Sequence, residues 1–222
     1  MFTRALKAGT RRSPLALRQV DEVIGQLKEF YSQIGIEITG IDTYGDRDKI
    51  TPISDIEGTD FFTREIEEAL LRGRVDFAVH SAKDMPDEIP DGLCVAATTK
   101  PIDNSDALIS KDNLKIAELK SGARIGASSQ RRKLQLMRYR KDFQAVDIRG
   151  TIEERLKKLE NEDLDAIVVA SCALMRLGLE KKITQRIPLD ILAPHPLQGA
   201  LAIEVRRDDR RLRDMLEVLN GR

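Results

Sequence analysis

The sequence has two cysteines, two histidines and no tryptophan in 222 residues, and only 4% of it is aromatic. Cys94 and Cys172 stand far apart, with neither a metal-ligand spacing nor the density of a disulfide framework. So few aromatic rings offer little for bases to stack on. Lys plus Arg (37) equals Asp plus Glu (37), so the basic excess of a nucleic-acid binder is missing as well. Long apolar runs are also lacking. The longest, residues 166–175, is interrupted by Ser171 and is too short to span a bilayer. No apolar leader opens the chain. These absences lead to the expectation of a cytoplasmic protein with no nucleic-acid or membrane partner, in which any functional charge is local.

What is present is the make-up of a globular domain: 41% hydrophobic residues and 33% charged ones, in a length that holds one large domain or two small ones. Short β-like runs alternate with helical patterns, which predicts α/β architecture with mainly parallel sheets. Residues 6–9 read as a strand, and Ser13-Pro14 as a helix cap with proline at the first helical position. Leu17, Val20, Ile24 and Leu27 follow at helical spacing. Residues 36–41 alternate as a strand, and the polar stretch 44–59, lacking a period, reads as a mobile loop. Phe62, Ile66, Ala69 and Leu70 mark a second helix closed by Gly73. Strands are expected at 77–79 and 93–99, with 99–105 as a crossover between lobes. The pattern then repeats. Ile125 leads into Ser128-Ser129 and a helix; 146–148 leads into Gly150-Thr151 and a helix; 166–170 leads into a helix near Leu174. The run 200–206 is expected as an antiparallel strand returning to the first lobe, and 211–219 as the last helix.

Three of these strand-to-helix junctions carry one device. Thr10-Arg11-Arg12-Ser13, Ser128-Ser129-Gln130-Arg131-Arg132, and Arg149-Gly150-Thr151 with Arg155 each join a helix start to guanidinium groups. A helix start offers unpaired N–H donors and a positive dipole end. Arginine adds a planar fork suited to carboxylate or phosphate. In open α/β sheets, ligands bind at such junctions, so converging junctions suit a small polyanion. Each piece also has a plainer reading: Ser13 as a simple cap, Arg131-Arg132 as a solvated helix face, Gly150 as a residue of unusual backbone angle. Asp84, beside Lys83 at the end of an apolar strand, could steer an amine leaving group and stabilise the cation left behind, or be an ordinary Asp-Met-Pro turn. His80 reads as a hydrogen-bonded core group and His195, between prolines, as a turn residue.

Six strings take the reading further: 10–16 (TRRSPLA), 78–86 (AVHSAKDMP), 126–132 (GASSQRR), Arg149-Gly150, 176–179 (RLGL) and Gln198-Gly199-Ala200. In their order and spacing the sequence resembles the porphobilinogen deaminase family over essentially its whole length. The resemblance implies two periplasmic-binding-protein-like lobes around a central cleft, lobe 1 from 1–99 plus 200–222 and lobe 2 from 100–199. It implies a hydroxymethylbilane synthase, a transferase of porphyrin and haem biosynthesis that condenses four porphobilinogen molecules stepwise with loss of ammonia. It implies dipyrromethane as cofactor and primer. By position Asp84 is the catalytic carboxylate. Arg11, Arg131, Arg132, Arg149 and Arg155 hold acetate and propionate groups, and Ser13, Ser81, Lys83, Ser129, Gly150, Arg176 and Gln198 complete the site.

The departures from the family pattern carry expectations of their own. The chain stops at Arg222, before the family's third domain with its primer-bearing cysteine, so that domain and the usual thioether are expected to be absent, with a separately encoded third domain as a possible partner. Cys172 and Cys94 read as core residues rather than replacement anchors. Glu57-Gly58-Thr59-Asp60 replaces a glycine-lysine pattern, Thr151 stands where asparagine is usual, and Tyr44 where a basic residue is common. A different class of function also fits the arginine-rich junctions: a non-catalytic two-lobed binding protein for a carboxylated pyrrole or another small polyanion.

Overall fold

The computed structural model describes residues 4–48, 51 and 59–222. The described chain forms two compact units, one built from 4–48, 59–101 and 200–222, the other from 102–199.

In the first unit β1 (Leu6–Arg11) leads into α1 (Pro14–Phe30). Ser13 starts α1 because its Oγ accepts from the Ala16 N–H at 3.3 Å, and Pro14 needs no donor there. The buried stripe of α1 is Ala16, Gln19, Val20, Val23 and Leu27, the i, i+3, i+4 spacing of a helix lying on a sheet. Then come β2 (Ile36–Ile41), the short α2 (Tyr44–Arg47), a 3₁₀ turn over Asp60–Phe62 and α3 (Arg64–Leu71). Strand β3 (Phe77–Ser81) ends in a 3₁₀ turn, Ala82–Asp84, and β4 (Leu93–Thr98) follows. After the second unit, β10 (Leu201–Arg206) and α7 (Arg210–Leu216) complete the first. The strand order is β2-β1-β3-β10-β4. β1 runs parallel to β2 and β3, and β10 antiparallel to β3 and β4. Val20, Val23 and Leu27 pack with Leu6, Phe77, Ile203 and Leu212 in the core, each such buried side chain contributing about 1.5–3 kcal/mol.

The second unit runs β5 (Asp106–Ser110), β6 (Arg124–Ala127), α4 (Gln130–Tyr139), β7 (Gln144–Val146), α5 (Ile152–Asn161), β8 (Ala166–Ala170), α6 (Ser171–Arg176) and β9 (Gln185–Arg186). Its order is β7-β6-β8-β5-β9, with β6 parallel to β7 and β8, and β5 antiparallel to β8 and β9. All five residues of β8 are buried, as a central strand covered on both faces requires.

The α/β expectation and the antiparallel return strand at 200–206 are found. Two readings need correction. Residues 44–47 form a helical turn rather than loop, because Thr43 and Asp46 close a capping box around it. Residues 49–50 and 52–58 of that stretch lie outside the described residues. Strand β5 was not expected, since only Ala107, Leu108 and Ile109 are apolar between polar ends; it gives each sheet one strand opposed to the other four. Cys172 is buried and Cys94 half-buried, in keeping with core roles.

Candidate active site

The parallel strands β1, β2 and β3 finish at one edge of the first sheet, and β10 enters there. That edge carries a pocket lined by Arg11, Ser13, Ser81 and Asp84, with Phe62, Thr63 and His80. The pocket is small and partly open to solvent. Leu15, Phe62 and Val79 give it apolar wall. Asp84 is half-buried, and no described residue makes a hydrogen bond or ion pair with its carboxylate. Arg11 is held from two sides: its Nε donates to Asp46 at 3.0 Å, its Nη2 also binds Asp46, and its guanidinium lies 4.4 Å over the Phe62 ring. Burial would raise the Asp46 carboxyl, but Arg11 and Thr43 hold it below the usual range. Gln19 donates to Ser81 Oγ at 2.8 Å. Ser13 is the α1 cap, and Lys83 lies in the 3₁₀ turn beside Asp84 without lining the pocket.

In the second unit the device is built around a residue the sequence did not single out. Asp106 opens β5, opposite Ala170 at the end of β8, beside the start of α4. It is fully buried. Arg132 reaches it through Nε at 3.0 Å and Nη2 at 2.6 Å, and Arg131 through Nη2 at 2.9 Å. Gln198 donates to Asp106 at 2.9 Å and to the carbonyls of Asn104 and Ser105, while its Oε1 accepts from Arg132. Arg131 also binds the Ala193 carbonyl. Arg132 is therefore no solvated helix residue: it is 5% exposed. Burial works to raise the Asp106 carboxyl, yet the two guanidiniums bring it down to about 2. Two cations against one anion leave net positive charge at the α4 start, where Ser129 caps the helix.

The junction after β7 forms a second group. Gly150 has φ +114°, and a Cβ there would sit 2.5 Å from Glu154 Oε2, so any L-residue at this position is strained. Thr151 caps α5 in a capping box with Glu154, and Arg155 Nε donates to the Gly150 carbonyl at 2.8 Å. Arg149 is half-buried. Arg176 donates to the Gly199 carbonyl at 2.9 Å, at the far end of α6. The loops after β6, β7 and β8 leave from the same sheet edge, so Ser129, Arg131, Arg132, Arg149 and Arg155 belong to one end of this unit. The residues sequence reading missed are Asp46 and Asp106, each within three residues of another acid and marked by no motif, and Phe62 as the ring over Arg11.

The sequence model described as "Porphobilinogen deaminase, dipyromethane cofactor binding domain" matches residues 6–214. The chain belongs to the porphobilinogen deaminase family. It is 42% identical to porphobilinogen deaminase of Geobacter metallireducens over 99% of this chain and 69% of that protein. It is 46% identical to that of Natranaerobius thermophilus over 97% and 70%. Among solved structures, the methionine-binding protein MetQ superimposes with a TM-score of 0.58 at 12% identity, covering 97% of this chain and 89% of that one; this likeness shows the two-lobed binding-protein fold alone. A member of this family is a transferase of tetrapyrrole synthesis that condenses porphobilinogen into hydroxymethylbilane, with dipyrromethane as cofactor. The non-catalytic alternative is not favoured. Among the described residues no acid, histidine and cysteine cluster could hold a metal ion, and no helix is long and apolar enough to cross a membrane.

Proposed function

We propose that Asp84 is the carboxylate that carries the deaminating condensation, with porphobilinogen seated beside it in the pocket of the first unit. The observation behind this is the half-buried Asp84 carboxylate, without a partner among the described residues, on a wall shared with Arg11, Ser13 and Ser81. A pyrrole is flat and apolar on its faces, and Leu15, Phe62 and Val79 suit those faces. Its ring N–H donates a hydrogen bond that a carboxylate accepts. When ammonia departs, the methylene carbon left behind is cationic, and a fixed negative charge beside it lowers the barrier. Arg11 takes a side-chain carboxylate of the substrate; Phe62 and Asp46 fix its guanidinium for that purpose.

The cofactor is a pair of pyrroles bearing acidic side chains. The donor set at the sheet edge of the second unit fits it: guanidinium groups of Arg131, Arg149 and Arg155 near two capped helix starts, with Arg132 held behind them on Asp106 and glycine at position 150. When bound, dipyrromethane supplies the pyrrole carbon from which the product grows. This chain's own residues fix its carboxylates. Ser129, Arg176 and Gln198 support that role, and Lys83, beside Asp84, adds positive charge near the pocket of the first unit. The part of the relatives this chain does not span, wherever it is encoded, would be the partner that anchors the primer. A cytoplasmic location, with no nucleic-acid or membrane partner, accords with the neutral charge.

The test is turnover of porphobilinogen by wild type and Asp84→Asn. The variant is expected to lose roughly 10²–10⁴-fold in kcat while its affinity for porphobilinogen changes less than about threefold. Full activity in Asp84→Asn would remove it from the mechanism. Tight binding by a wild type that never turns over, even in the presence of the primer, would instead favour the binding-protein reading.

A further inference from the structure

Between α3 and the sheet of the first unit lie three ionisable side chains that the reading above does not use. Glu67 on α3, His80 on β3 and Glu204 on β10 are 3%, 6% and 0% exposed. The register pairs His80 with Ala202 and Ala78 with Glu204, so His80 and Glu204 stand diagonally on one face of the sheet. Ile66, Ala69 and Leu70 of α3 pack with Ala78 on that face. His80 Nε2 is 3.2 Å from Glu204 Oε2, inside ion-pair distance but off the angle of a hydrogen bond. Glu67 Oε1, His80 Nε2 and both Glu204 oxygens are buried with no hydrogen-bond partner among the described residues. Burial holds the Glu67 carboxyl above the usual range, and the Glu204 carboxylate pushes the same way, against a hydrogen bond from Thr63 and the nearby imidazole.

Two ionised carboxylates at that depth, set against one imidazole, would leave a buried negative charge unbalanced. Keeping one carboxyl protonated removes the imbalance. His80 and Thr63 also line the Asp84 pocket, so the group touches the core on one side and the site on the other. Buried polar atoms left without partners call for a role. The other charges near it are Asp60, paired with Arg64 at 2.6 Å, and, in the pocket, Arg11 on Asp46 and Asp84 itself.

We propose that Glu67, His80 and Glu204 form a proton-holding group behind the Asp84 pocket, lending one proton to the site through His80 and recovering it in each condensation. This rests on the reading of that pocket as the porphobilinogen site. The condensation breaks the bond from methylene carbon to amine nitrogen and forms a carbon–carbon bond at a pyrrole carbon, which loses its hydrogen as a proton. From the neutral amine, nitrogen leaves as ammonia, carrying one proton more than it had on carbon. The proton given to nitrogen equals the proton taken from carbon, so a group that bridges the two events needs no outside acid or base.

Infrared spectroscopy of the wild type, which depends on no variant folding, should show a buried protonated-carboxyl band at neutral pH, lost in Glu67→Gln. Turnover of porphobilinogen by Glu204→Gln should fall at least roughly tenfold, with a limb of its pH profile displaced by about one unit and KM within about threefold. Absence of the band, or a Glu204→Gln profile that superimposes on wild type, overturns the proposal. A wild type inactive on porphobilinogen overturns the site reading and the exchange with it, while the band still decides whether the proton is held.

Discussion

Asp106→Asn removes one buried charge and nearly preserves the side chain's shape. In the folded protein the carboxylate is 0% exposed and grips Arg132 and Arg131 at 2.6 and 2.9 Å. Its carboxyl is displaced from 3.8 to about 2, burial opposing and the guanidiniums prevailing. A displacement of that size is worth about 2–3 kcal/mol of stability. The folded value is the lower one, so this contribution is whole well above pH 4, about half gone near pH 3, and lost as the pH approaches 2. At pH 7 the variant should lose more, about 3–5 kcal/mol, because Arg132 stays charged and buried with no counter-ion. Urea denaturation of wild type and variant, in steps from pH 7 to pH 3, measures both effects, and the gap should narrow on acidification. Adding Arg132→Met should restore much of the loss. A gap below about 1 kcal/mol at pH 7, or one that does not change with pH, would show that this carboxylate does not organise the two arginines.

Three further outcomes are expected. Arg149→Ala should weaken porphobilinogen or primer binding by about 2–5 kcal/mol, measured by calorimetry, if it meets a buried carboxylate; unaltered affinity returns Arg149 to the surface. Gly150→Ala forces an L-residue to φ +114° against Glu154 and should cost about 1–3 kcal/mol, read as a lower melting temperature. Thr151→Ala should lose about 1 kcal/mol with the capping box, whereas Thr151→Asn should stay within roughly 0.5 kcal/mol of wild type, since asparagine caps as well as threonine.

The elements with strong period were legible. α1 shows its apolar stripe and its Ser-Pro start, β8 its unbroken apolar run, and Gly73 its stop, because each is written in consecutive residues. β5 was not, because its apolar run is only three residues between polar ends and its partners β8 and β9 lie far away in sequence. The same holds for the site. Arg131 and Arg132 could be seen from the sequence, but their partner Asp106 sits more than twenty residues earlier, and nothing local marks it. Sequence offered a choice between solvated charge and ligand socket for Arg132. Folding gave a third state, a buried arginine already bound to an internal acid, which leaves Arg131 as the more accessible of the pair. Gly150 illustrates the reverse: the plain reading, a residue of unusual backbone angle, is what the structure has, with φ +114°.

Strand β10 lies between β3 and β4, yet it is synthesised a hundred residues after them. Until residue 206 leaves the ribosome, β3 presents a bare edge and β4 has no strand to join. The unit spanning 102–199 has no such wait and can close while the first unit is still half made. Nascent molecules should therefore pass through a stage in which the Asp84 side is open and prone to mispairing, and truncations before residue 201 should be captured by chaperones.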